Sequence, residues 1–203
     1  MKIALIGISG RAGSRIADEL LRRGHQVTGI ARNTAEVAPR PGLTLEQGDA
    51  TDPAGLAPLL AGHDAVVSAT RFVSTDARQL LQAVRSAGVS RLLVVGGAGS
   101  LRVAPGLMLI DTPDFPDVYR PEARAGVAFL ETLRQETALD WTFLSPSALF
   151  MPGERTGSFR VGGDELLADG EGKSWISMED YAIALADELE APRHVRRRFT
   201  VGY

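Results

Sequence analysis

Short apolar runs alternate with amphipathic stretches along most of this chain. Residues 3–6 are apolar and end at Gly7, a pattern that predicts a strand buried on both faces of a sheet. The stretch 12–23 then places apolar residues at helical spacing, and residues 26–31 predict the next strand. This strand–helix–strand unit occupies about 30 residues, which is the usual size of a β-α-β motif.

The same alternation continues towards the C-terminal end. Further strands are predicted at residues 43–46, 65–68, 92–95, 141–144 and 198–201, and helices at residues 53 onwards, 76–87, 122–136 and 178–189. Strands that alternate with helices predict an α/β fold with a doubly wound, mainly parallel sheet. Trp141 and Phe143 fit the interior of such a sheet, so we interpret both as structural residues.

Two long segments interrupt the alternation. Residues 97–119 include Pro105-Gly106, a turn signal that predicts a small hairpin between residues 101–103 and 107–110. Residues 145–177 contain many turn formers and only short apolar pieces. Because long connections in compact domains are often functional, we expect these two segments to form the substrate cleft.

The composition is that of one ordinary globular domain. The chain has 203 residues, of which 44% are hydrophobic and 23% are charged, so we expect a single domain over residues 1–203 with a small C-terminal cap region. It contains no cysteine, which excludes disulfides, thiolate nucleophiles and cysteine-bound metals. Its three histidines lie far apart in the sequence, so no metal site is predicted.

Charge and hydropathy narrow the expected partners further. The formal net charge is −3, which argues against non-specific binding to nucleic acid. No apolar run approaches the roughly 20 residues that a membrane span needs, and the first residues lack the pattern of a signal peptide. We therefore expect a cytoplasmic enzyme or binding protein, as a monomer or a homodimer.

The first predicted strand leads into a loop of regularly spaced glycines. Gly7 would permit a tight turn, Gly10 a close approach of a pyrophosphate, and Gly13 close packing of the helix on the sheet. The free N–H groups at the helix start would favour an anion. The loop predicts a dinucleotide-binding site made of Gly7, Ser9, Gly10, Arg11, Ala12 and Gly13. The alternative is a turn with a purely structural role.

The residue after the second strand bears on which dinucleotide is bound. NAD-binding proteins often have Asp or Glu here to bond the ribose 2′-hydroxyl, whereas this chain has Arg32. A guanidinium pairs well with a 2′-phosphate, and Arg11 would add a second positive charge. We therefore expect NADP(H) in preference to NAD(H). The alternative is that both arginines are solvated surface residues.

Other strand ends would complete the cofactor cleft, because ligands of open α/β sheets bind beyond the carboxyl ends of the strands. Asp49-Ala50 follows the third strand and would lie beside the adenine. Ser68-Ala69-Thr70 at the end of the fourth strand would line the ribose and diphosphate. Gly96-Gly97 after the fifth strand would lie next to the nicotinamide ribose.

Seven stretches, spread over nearly the whole chain, share the pattern of one known family. They are Gly7 to Gly13, Gly48 to Asp52, Val95 to Leu101, Asp111 to Pro116, Trp141 to Pro146, Gly153 to Gly157 and Asp180 to Ala182. In these stretches the chain resembles the atypical, NmrA-like short-chain dehydrogenases/reductases, a group that includes NAD(P)H-flavin reductases and is similar in size and fold to biliverdin reductase B. The resemblance implies a Rossmann fold, a bound NAD(P) cofactor and reduction of flavins or quinone-like aromatics.

One departure from the wider superfamily concerns its catalytic pair. Active members carry Tyr-x-x-x-Lys, in which the tyrosine is the general acid. The nearest match here begins at Tyr119, but the lysine position is Ala123, and Pro121 argues against a continuous helix through the motif. Alcohol–ketone chemistry with a Tyr–Lys pair is therefore disfavoured. Ser100 is the best candidate for a catalytic hydroxyl, with Tyr119 lining the same pocket; the alternative is that Ser100 caps local backbone.

Some further positions have two open interpretations. The side chains that either line the acceptor pocket or belong to the core are Phe72, Leu107, Met108, Phe115 and Phe150. The basic run 193–198 is interpreted as a solvated edge rather than an anion site.

Two functions from different classes remain open. The first is an NAD(P)H-dependent oxidoreductase that transfers hydride to a flavin, a quinone or a similar planar acceptor, because such transfer depends chiefly on stacking and orientation. The second is an NADP-binding, redox-sensing regulatory protein without turnover, which the NmrA-like resemblance allows. A sugar-nucleotide epimerase is less favoured, because 203 residues leave little room for a separate substrate domain.

Overall fold

The computed structural model describes all residues from 1 to 203. The strands are β1 (Lys2–Ile6), β2 (Gln26–Ala31), β3 (Leu43–Gln47), β4 (Ala65–Ser68), β5 (Arg91–Val95), β6 (Arg102–Ala104), β7 (Leu107–Met108), β8 (Asp140–Ser145), β9 (Leu149–Met151), β10 (Arg160–Gly162), β11 (Trp175–Ser177) and β12 (Arg197–Gly202). The α-helices are α1 (Arg11–Arg22), α2 (Pro53–Leu60), α3 (Ala77–Ser86), α4 (Arg120–Arg134) and α5 (Met178–Glu190).

Eight strands form the central sheet in the order β10-β12-β8-β5-β4-β1-β2-β3. All neighbours are parallel except β10, which runs antiparallel to β12 at the edge. β1 lies between β2 and β4, so the chain winds first towards one edge and then towards the other. The predicted α/β fold with a doubly wound, mainly parallel sheet is confirmed, and it is a Rossmann fold. Its crevice at the reversal of strand order is where such sheets bind ligands.

Helices cover both faces of this sheet. One cluster of 22 buried residues lies between the sheet and the helices α1 and α5, and a second cluster of 21 lies between the sheet and α2, α3 and α4. Burial on both faces explains why the strands have continuous apolar runs. Trp141 and Phe143 are almost fully buried in β8, which confirms that both are core residues.

The first irregular segment, residues 97–119, contains the predicted hairpin as β6 and β7. Arg120 at the start of α4 holds the rest of the segment. Its guanidinium donates to the carbonyls of Ile110 at 2.7 Å and Phe115 at 3.1 Å, and to the Asp117 carboxylate at 2.7 Å. Together with the buried side chains of Leu101 and Ile110, this one guanidinium fixes the connection.

The second irregular segment, residues 145–177, forms three short strands. β9 and β11 pair in a small parallel sheet, and β10 extends the central sheet at its edge. Two backbone hydrogen bonds join the two segments to each other: the Arg102 N–H donates to the Asp164 carbonyl at 2.9 Å, and the Leu166 N–H donates to the Arg102 carbonyl at 2.8 Å.

The interpretation of residues 193–198 as a solvated edge is wrong for Arg198. Because side chains alternate along a strand and Phe199 packs in the core beside α1 and α5, Arg198 points to the opposite face of β12. Its side chain is 3% exposed and its Nε donates to Asp164 Oδ1 at 2.6 Å. A buried arginine needs such a partner, and Asp164 lies too far along the sequence for the pattern to reveal it.

Candidate functional site

The glycine loop makes a tight turn between β1 and α1. Gly7 has a φ of +89°, and a Cβ there would lie 2.6 Å from the carbonyl oxygen of Ala69. A Cβ on Gly13 would lie 2.1 Å from the carbonyl oxygen of Gly7. Only glycine at these two positions lets α1 pack this closely against the loop.

Gly10 has a different environment from the other two glycines. It is exposed, and a Cβ there would approach only the backbone oxygens of Gly7 at 3.2 Å and Ala69 at 3.9 Å. Its outer side is therefore open to a ligand that approaches the backbone. Ser9 and Arg11 on either side are exposed as well, and Ala12 is partly buried.

The start of α1 has no side-chain cap. Gly10 is the residue that precedes its first turn, whereas α2, α3 and α5 begin at Asp52, Asp76 and Ser177, whose side chains accept hydrogen bonds from first-turn N–H groups. Uncapped N–H groups and the positive end of the helix dipole favour an anion. The open backbone at Gly10 leaves room for a ligand, and the uncapped start of α1 favours a negatively charged one. The two features together fit the pyrophosphate of a dinucleotide.

Two unpaired arginines lie near this helix start. Arg11 is in the first turn of α1, and Arg32 follows β2, where Ile30 pairs with Ile6 of β1, so both lie at the same edge of the sheet. Both are exposed, and neither guanidinium forms an ion pair. They are free to pair with phosphate groups.

Asp49 is an ionised neighbour of Arg32. Its Oδ1 accepts hydrogen bonds from the N–H and the hydroxyl of Thr51, both at 2.9 Å. These two bonds, with a smaller effect of the Arg32 charge, lower the pKa of the Asp49 carboxyl. The adjacent Ala50 is 9% exposed and packs in the core, so within this pair the Asp49 side chain is the one with access to a ligand.

The end of β4 places backbone rather than side chains at the crevice. Ser68 is 1% exposed, and its hydroxyl lies 3.0 Å from the Thr70 hydroxyl. The Ala69 N–H donates to the Ile6 carbonyl at 2.8 Å, and its own carbonyl oxygen faces Gly7. Ala69 and Thr70 are partly buried and are therefore more accessible to a ligand than Ser68.

A carboxylate from another helix fixes the loop that follows Thr70. Glu122, in the first turn of α4, accepts hydrogen bonds from the N–H groups of Phe72 at 2.7 Å and Val73 at 3.3 Å. The 3₁₀ helix Phe72–Ser74 has no side-chain cap of its own. Glu122 therefore positions the β4 end of the crevice, a role that no local sequence signal indicates.

Of the three glycines that follow β5, Gly96 and Gly99 are required by close packing, whereas Gly97 lies in a more open position. A Cβ on Gly96 would lie 2.5 Å from the Phe143 ring, so close packing requires glycine there. Gly97 has more room, with the Phe72 ring at 3.6 Å, and a Cβ on Gly99 would lie 2.9 Å from the Cβ of Ala123. Gly97 is thus the more open of the two glycines predicted to lie beside the nicotinamide ribose.

The structure contains no Tyr–Lys pair at this edge. Ala123 occupies the lysine position and packs against Gly99, and Tyr119 is 63% exposed. The motif does not lie within one α-helix, as Pro121 led us to expect, because α4 begins at Arg120 and Pro121 occupies its first turn, where proline is tolerated. Tyr119 itself precedes α4 as its N-cap residue.

Ser100 is held by a buried guanidinium. Arg198 Nη1 lies 3.4 Å from the Ser100 hydroxyl and 3.4 Å from the Ser145 hydroxyl. Burial lowers the pKa of Arg198, although the paired Asp164 carboxylate opposes that shift. Ser100 is partly buried, so its hydroxyl has a fixed partner on the protein side. Its role as the catalytic hydroxyl stays a prediction.

Exposed apolar side chains concentrate in the two irregular segments. Of the ten large hydrophobic residues that are exposed, seven lie in residues 97–119 or 145–177. They are Val103, Leu107, Val118, Tyr119, Leu149, Met151 and Val161. Such clustering favours an apolar ligand at these segments.

The remaining candidates for the pocket lining divide between core and loop. Phe72 packs on Phe129 and Phe143, with ring centroids 5.1 and 5.9 Å apart, and Phe150 packs on Tyr181 at 4.7 Å. Phe72 and Phe150 therefore pack against the core. Phe115 lies under the Arg120 guanidinium, and Met108 is partly buried.

Sequence reasoning missed the charged residues that hold this site together. They are Glu19, Glu122, Arg155, Asp164, Asp180 and Arg198. Asp180 and Arg155 fall in stretches that carried the family resemblance, which is the one signal that could have indicated them.

Two further kinds of feature concern metal ligands and membrane-spanning helices. No three His, Asp or Glu side chains come together in a way that could hold a metal ion. None of the helices combines the length and the apolar character that crossing a membrane requires.

The fold, the glycine loop and the free helix start define an NAD(P)-binding protein of the Rossmann type. The family model described as NAD(P)H-binding matches residues 7–192, so the chain belongs to the NAD(P)H-binding family. The resemblance to atypical short-chain dehydrogenases/reductases is thereby confirmed.

Three relatives are similar over nearly their whole lengths. The uncharacterized protein YwnB of Bacillus subtilis (strain 168) is 44% identical over 215 residues, which cover 99% of this chain and 98% of the relative. The crystal structure of a candidate exported protein from Burkholderia pseudomallei has a TM-score of 0.91 at 47% identity, covering all of both chains. That of a candidate NADH-flavin reductase from Streptococcus pneumoniae TIGR4 has a TM-score of 0.85 at 34% identity, covering 100% of this chain and 99% of the other. Family and relatives support an NAD(P)H-dependent oxidoreductase.

Proposed function

We propose that this protein is an NAD(P)H-dependent reductase that transfers hydride to a flavin, a quinone or a similar planar acceptor. The observation that carries the proposal is the start of α1, a helix N-terminus without a side-chain cap at the crevice where the strand order reverses. The similarity to a candidate NADH-flavin reductase adds support for the class of acceptor.

In this proposal, each group of residues at the crevice binds a different part of the cofactor. The N–H groups of Gly7 and Gly10 donate to the carbonyls of Ile30 and Gly7, so those at the start of α1, from Arg11 to Gly13, would hold the pyrophosphate, with the Arg11 side chain beside it. Arg32 pairs with the 2′-phosphate of NADP(H), and Asp49 lies beside the adenosine. Ala69-Thr70 and Gly96-Gly97 line the path to the nicotinamide. When bound, the cofactor supplies the hydride, and the protein supplies orientation and exclusion of water.

The two irregular segments form the acceptor site. Their exposed apolar side chains provide a surface on which a planar ring can stack. Reduction of such a ring needs a proton as well as the hydride, and Ser100 or Tyr119 would donate it directly or through water. A cytoplasmic location and a monomeric or homodimeric state belong to the same proposal, although one relative is described as a candidate exported protein.

The cofactor preference is tested by removing Arg32. The dissociation constants of NADPH and NADH are measured for the wild type and for Arg32→Ala, with Arg78→Ala, an exposed arginine of α3, as the matched control. Loss of one charge-assisted hydrogen bond predicts a Kd for NADPH about tenfold higher and an unchanged Kd for NADH. Equal NADPH affinity in wild type and Arg32→Ala would contradict the assignment.

The reaction is tested with a panel of acceptors. Purified protein is mixed with NADPH and with FMN, riboflavin, benzoquinone or a linear tetrapyrrole, and oxidation of the nicotinamide is followed. Turnover with at least one planar acceptor is expected. A protein that binds NADPH and oxidises it with none of them is not a reductase of this class.

The second candidate is a redox sensor without turnover. The observation that favours it is Ala123, which removes the lysine of the superfamily's catalytic pair. A sensor would bind oxidised and reduced cofactor with different affinities, capture a protein partner in one state only and show no turnover. Turnover in the acceptor panel would exclude this reading.

A further inference from the structure

Strand β9 is connected by contacts to the glycines after β5, where the nicotinamide is predicted to lie. Phe150 of β9 packs on Tyr181, whose hydroxyl donates to the Leu144 carbonyl at 2.6 Å. The Gly96 N–H donates to the Leu144 carbonyl at 2.8 Å, so the end of β8 adjoins the glycines after β5. β9 begins four residues after β8 ends. Phe150 packs inward on Tyr181, and Leu149 and Met151, 45% and 44% exposed, point outward. Residues 149–151 are called the wall below.

The chain after the wall is held by polar contacts alone. Residues 152–158, called the strap below, are all exposed and form neither helix nor strand. The Gly153 N–H donates to Glu179 at 2.8 Å, and the Gly157 N–H donates to Asp180 at 2.8 Å. The Ser177 hydroxyl donates to the Glu154 carbonyl at 2.8 Å. These contacts tie the strap to the start of α5.

One residue ties the strap to the cofactor helix as well. The guanidinium of Arg155 donates two hydrogen bonds to the Glu19 carboxylate of α1, at 2.8 and 2.9 Å. The Glu19 side chain is 2% exposed, and Arg22 and Arg23 bond to the same carboxylate. The bonds from Arg155 are the largest influence that lowers the pKa of Glu19 to about 2, so this carboxylate is charged throughout the neutral range.

We propose that Arg155 is a positioning residue for the acceptor. Its two-pronged contact with Glu19 holds the strap, and with it the wall, in a fixed place relative to the helix that binds the cofactor. The inference rests on the proposed function, since it names a determinant of acceptor binding in that same site. Arg155 acts through the wall and touches neither cofactor nor acceptor.

The geometry separates this role from a general role in stability. The Arg155 side chain is 42% exposed, so its removal opens no cavity in the core. The strap keeps its bonds to α5, and Glu19 keeps Arg22 and Arg23. β9 also keeps its pairing with β11, so what the substitution removes is the link between the strap and α1. We expect a small shift of the strap and of the adjoining end of the wall relative to the cofactor helix, and small misplacements of reacting groups have large kinetic effects.

The test compares Arg155→Ala with Arg22→Ala, which removes a different arginine from the same carboxylate. Steady-state kinetics are measured with NADPH and with FMN or benzoquinone, together with the Kd for NADPH and the Tm. In Arg155→Ala we expect kcat/KM for the acceptor to fall about tenfold, with the NADPH affinity unchanged. Arg155→Lys keeps the positive charge but cannot form two parallel hydrogen bonds to the Glu19 carboxylate. Its kcat/KM for the acceptor should therefore lie between the values of Arg155→Ala and the wild type. Arg22→Ala should match the wild type.

Three outcomes would overturn the inference and leave the proposed function intact. An unchanged kcat/KM for the acceptor in Arg155→Ala would show that the contact does not position the wall. An equal fall in Arg22→Ala would show that the charge of Glu19, not the strap, is responsible. A parallel loss of NADPH affinity would assign Arg155 to cofactor binding. A wild type without turnover for any acceptor would contradict the proposed function itself, and the inference with it.

Discussion

Residues 1–96 and residues 97–203 are built on different principles. The first part, called the cofactor half here, is a regular β-α-β succession whose crevice is made of backbone and glycines. The second part, the acceptor half, contains both irregular segments and depends on buried charges. The buried Asp, Glu and Arg residues are Glu19, Arg91, Asp180, Glu188 and Arg198, and each bonds to at least one partner in residues 97–203.

A network at the end of the sheet where β5, β8 and β12 begin shows the second principle. Glu188 of α5 accepts hydrogen bonds from Arg91 Nη2 at 3.1 Å and from the N–H of His194 at 2.8 Å. Its carboxylate also bonds to the His194 ring at 2.8 Å. Because an unpaired buried charge is costly, this network specifies where α5 ends and the connection to β12 runs. The acceptor half thus gains its order from pairings between distant residues, whereas the cofactor half gains it from local pattern.

The largest expected effect is in the cofactor half. In Gly13→Ala the new Cβ would lie 2.1 Å from the Gly7 carbonyl oxygen, so the loop or α1 must move. We expect loss of NADPH binding and a destabilisation of about 3 kcal/mol, as in other overpacked sites. Binding is measured by nicotinamide fluorescence and stability by urea unfolding. Gly163→Ala is the control, because a Cβ there meets nothing within 4 Å. Wild-type NADPH affinity in Gly13→Ala would break the comparison.

A smaller effect is expected from the acceptor half. Asp180 accepts hydrogen bonds from the Gly157 N–H, the Thr156 hydroxyl and the Tyr203 hydroxyl, and is fully buried. In Asp180→Asn these donors lose a charged acceptor, so stability should fall by about 2 kcal/mol while NADPH affinity is retained. Urea unfolding and NADPH titration measure the two quantities.

The matched control for this change is Asp187→Asn on the same helix. The Asp187 side chain is 58% exposed, and an exposed ion pair contributes little. Equal losses of stability in the two variants would contradict the claim that buried charged residues stabilise the acceptor half more than exposed ones do. A loss of NADPH affinity in Asp180→Asn would show that the two halves are not separable.

The smallest expected effect is a dependence of stability on pH. The pKa of Glu19 is lowered from its ordinary value of 4.5 to about 2, chiefly by Arg155. A lowered folded-state pKa contributes stability that is complete above 4.5 and is lost as the pH falls towards 2. In Arg155→Ala the shift is smaller, so stability should fall less steeply over this range, by about 1 kcal/mol in total. Parallel pH profiles for the two proteins, measured by urea unfolding, would remove Arg155 as the cause.

The cofactor half could be predicted from the sequence because its signals are local. Each of its strands and helices, and the glycine loop, is indicated by a pattern of neighbouring residues. In the acceptor half, the hairpin and the elements α4, β8, α5 and β12 could be predicted in the same way. The pairs that order its irregular segments could not, because residues such as Arg155 and Glu19 lie 136 positions apart. The burial of Arg198 escapes prediction for the same reason, since a basic run does not show which of its members is buried and paired with a distant carboxylate. For Phe72 and Phe150 the sequence does not distinguish a pocket residue from a core residue, because neither lies in a periodic apolar pattern.

The central claim is that the glycine loop binds a nicotinamide dinucleotide whose hydride passes to a planar acceptor. The most direct test is anaerobic mixing of the protein with NADPH and FMN, with both absorbances followed in the same sample. Protein-dependent oxidation of NADPH, matched by an equal amount of FMN reduced, is the expected result. This reaction should be lost in Gly10→Ala, whose new Cβ would occupy the open side of the loop. NADPH oxidation at full rate in Gly10→Ala, or none in the wild type with FMN or any quinone, would contradict the central claim.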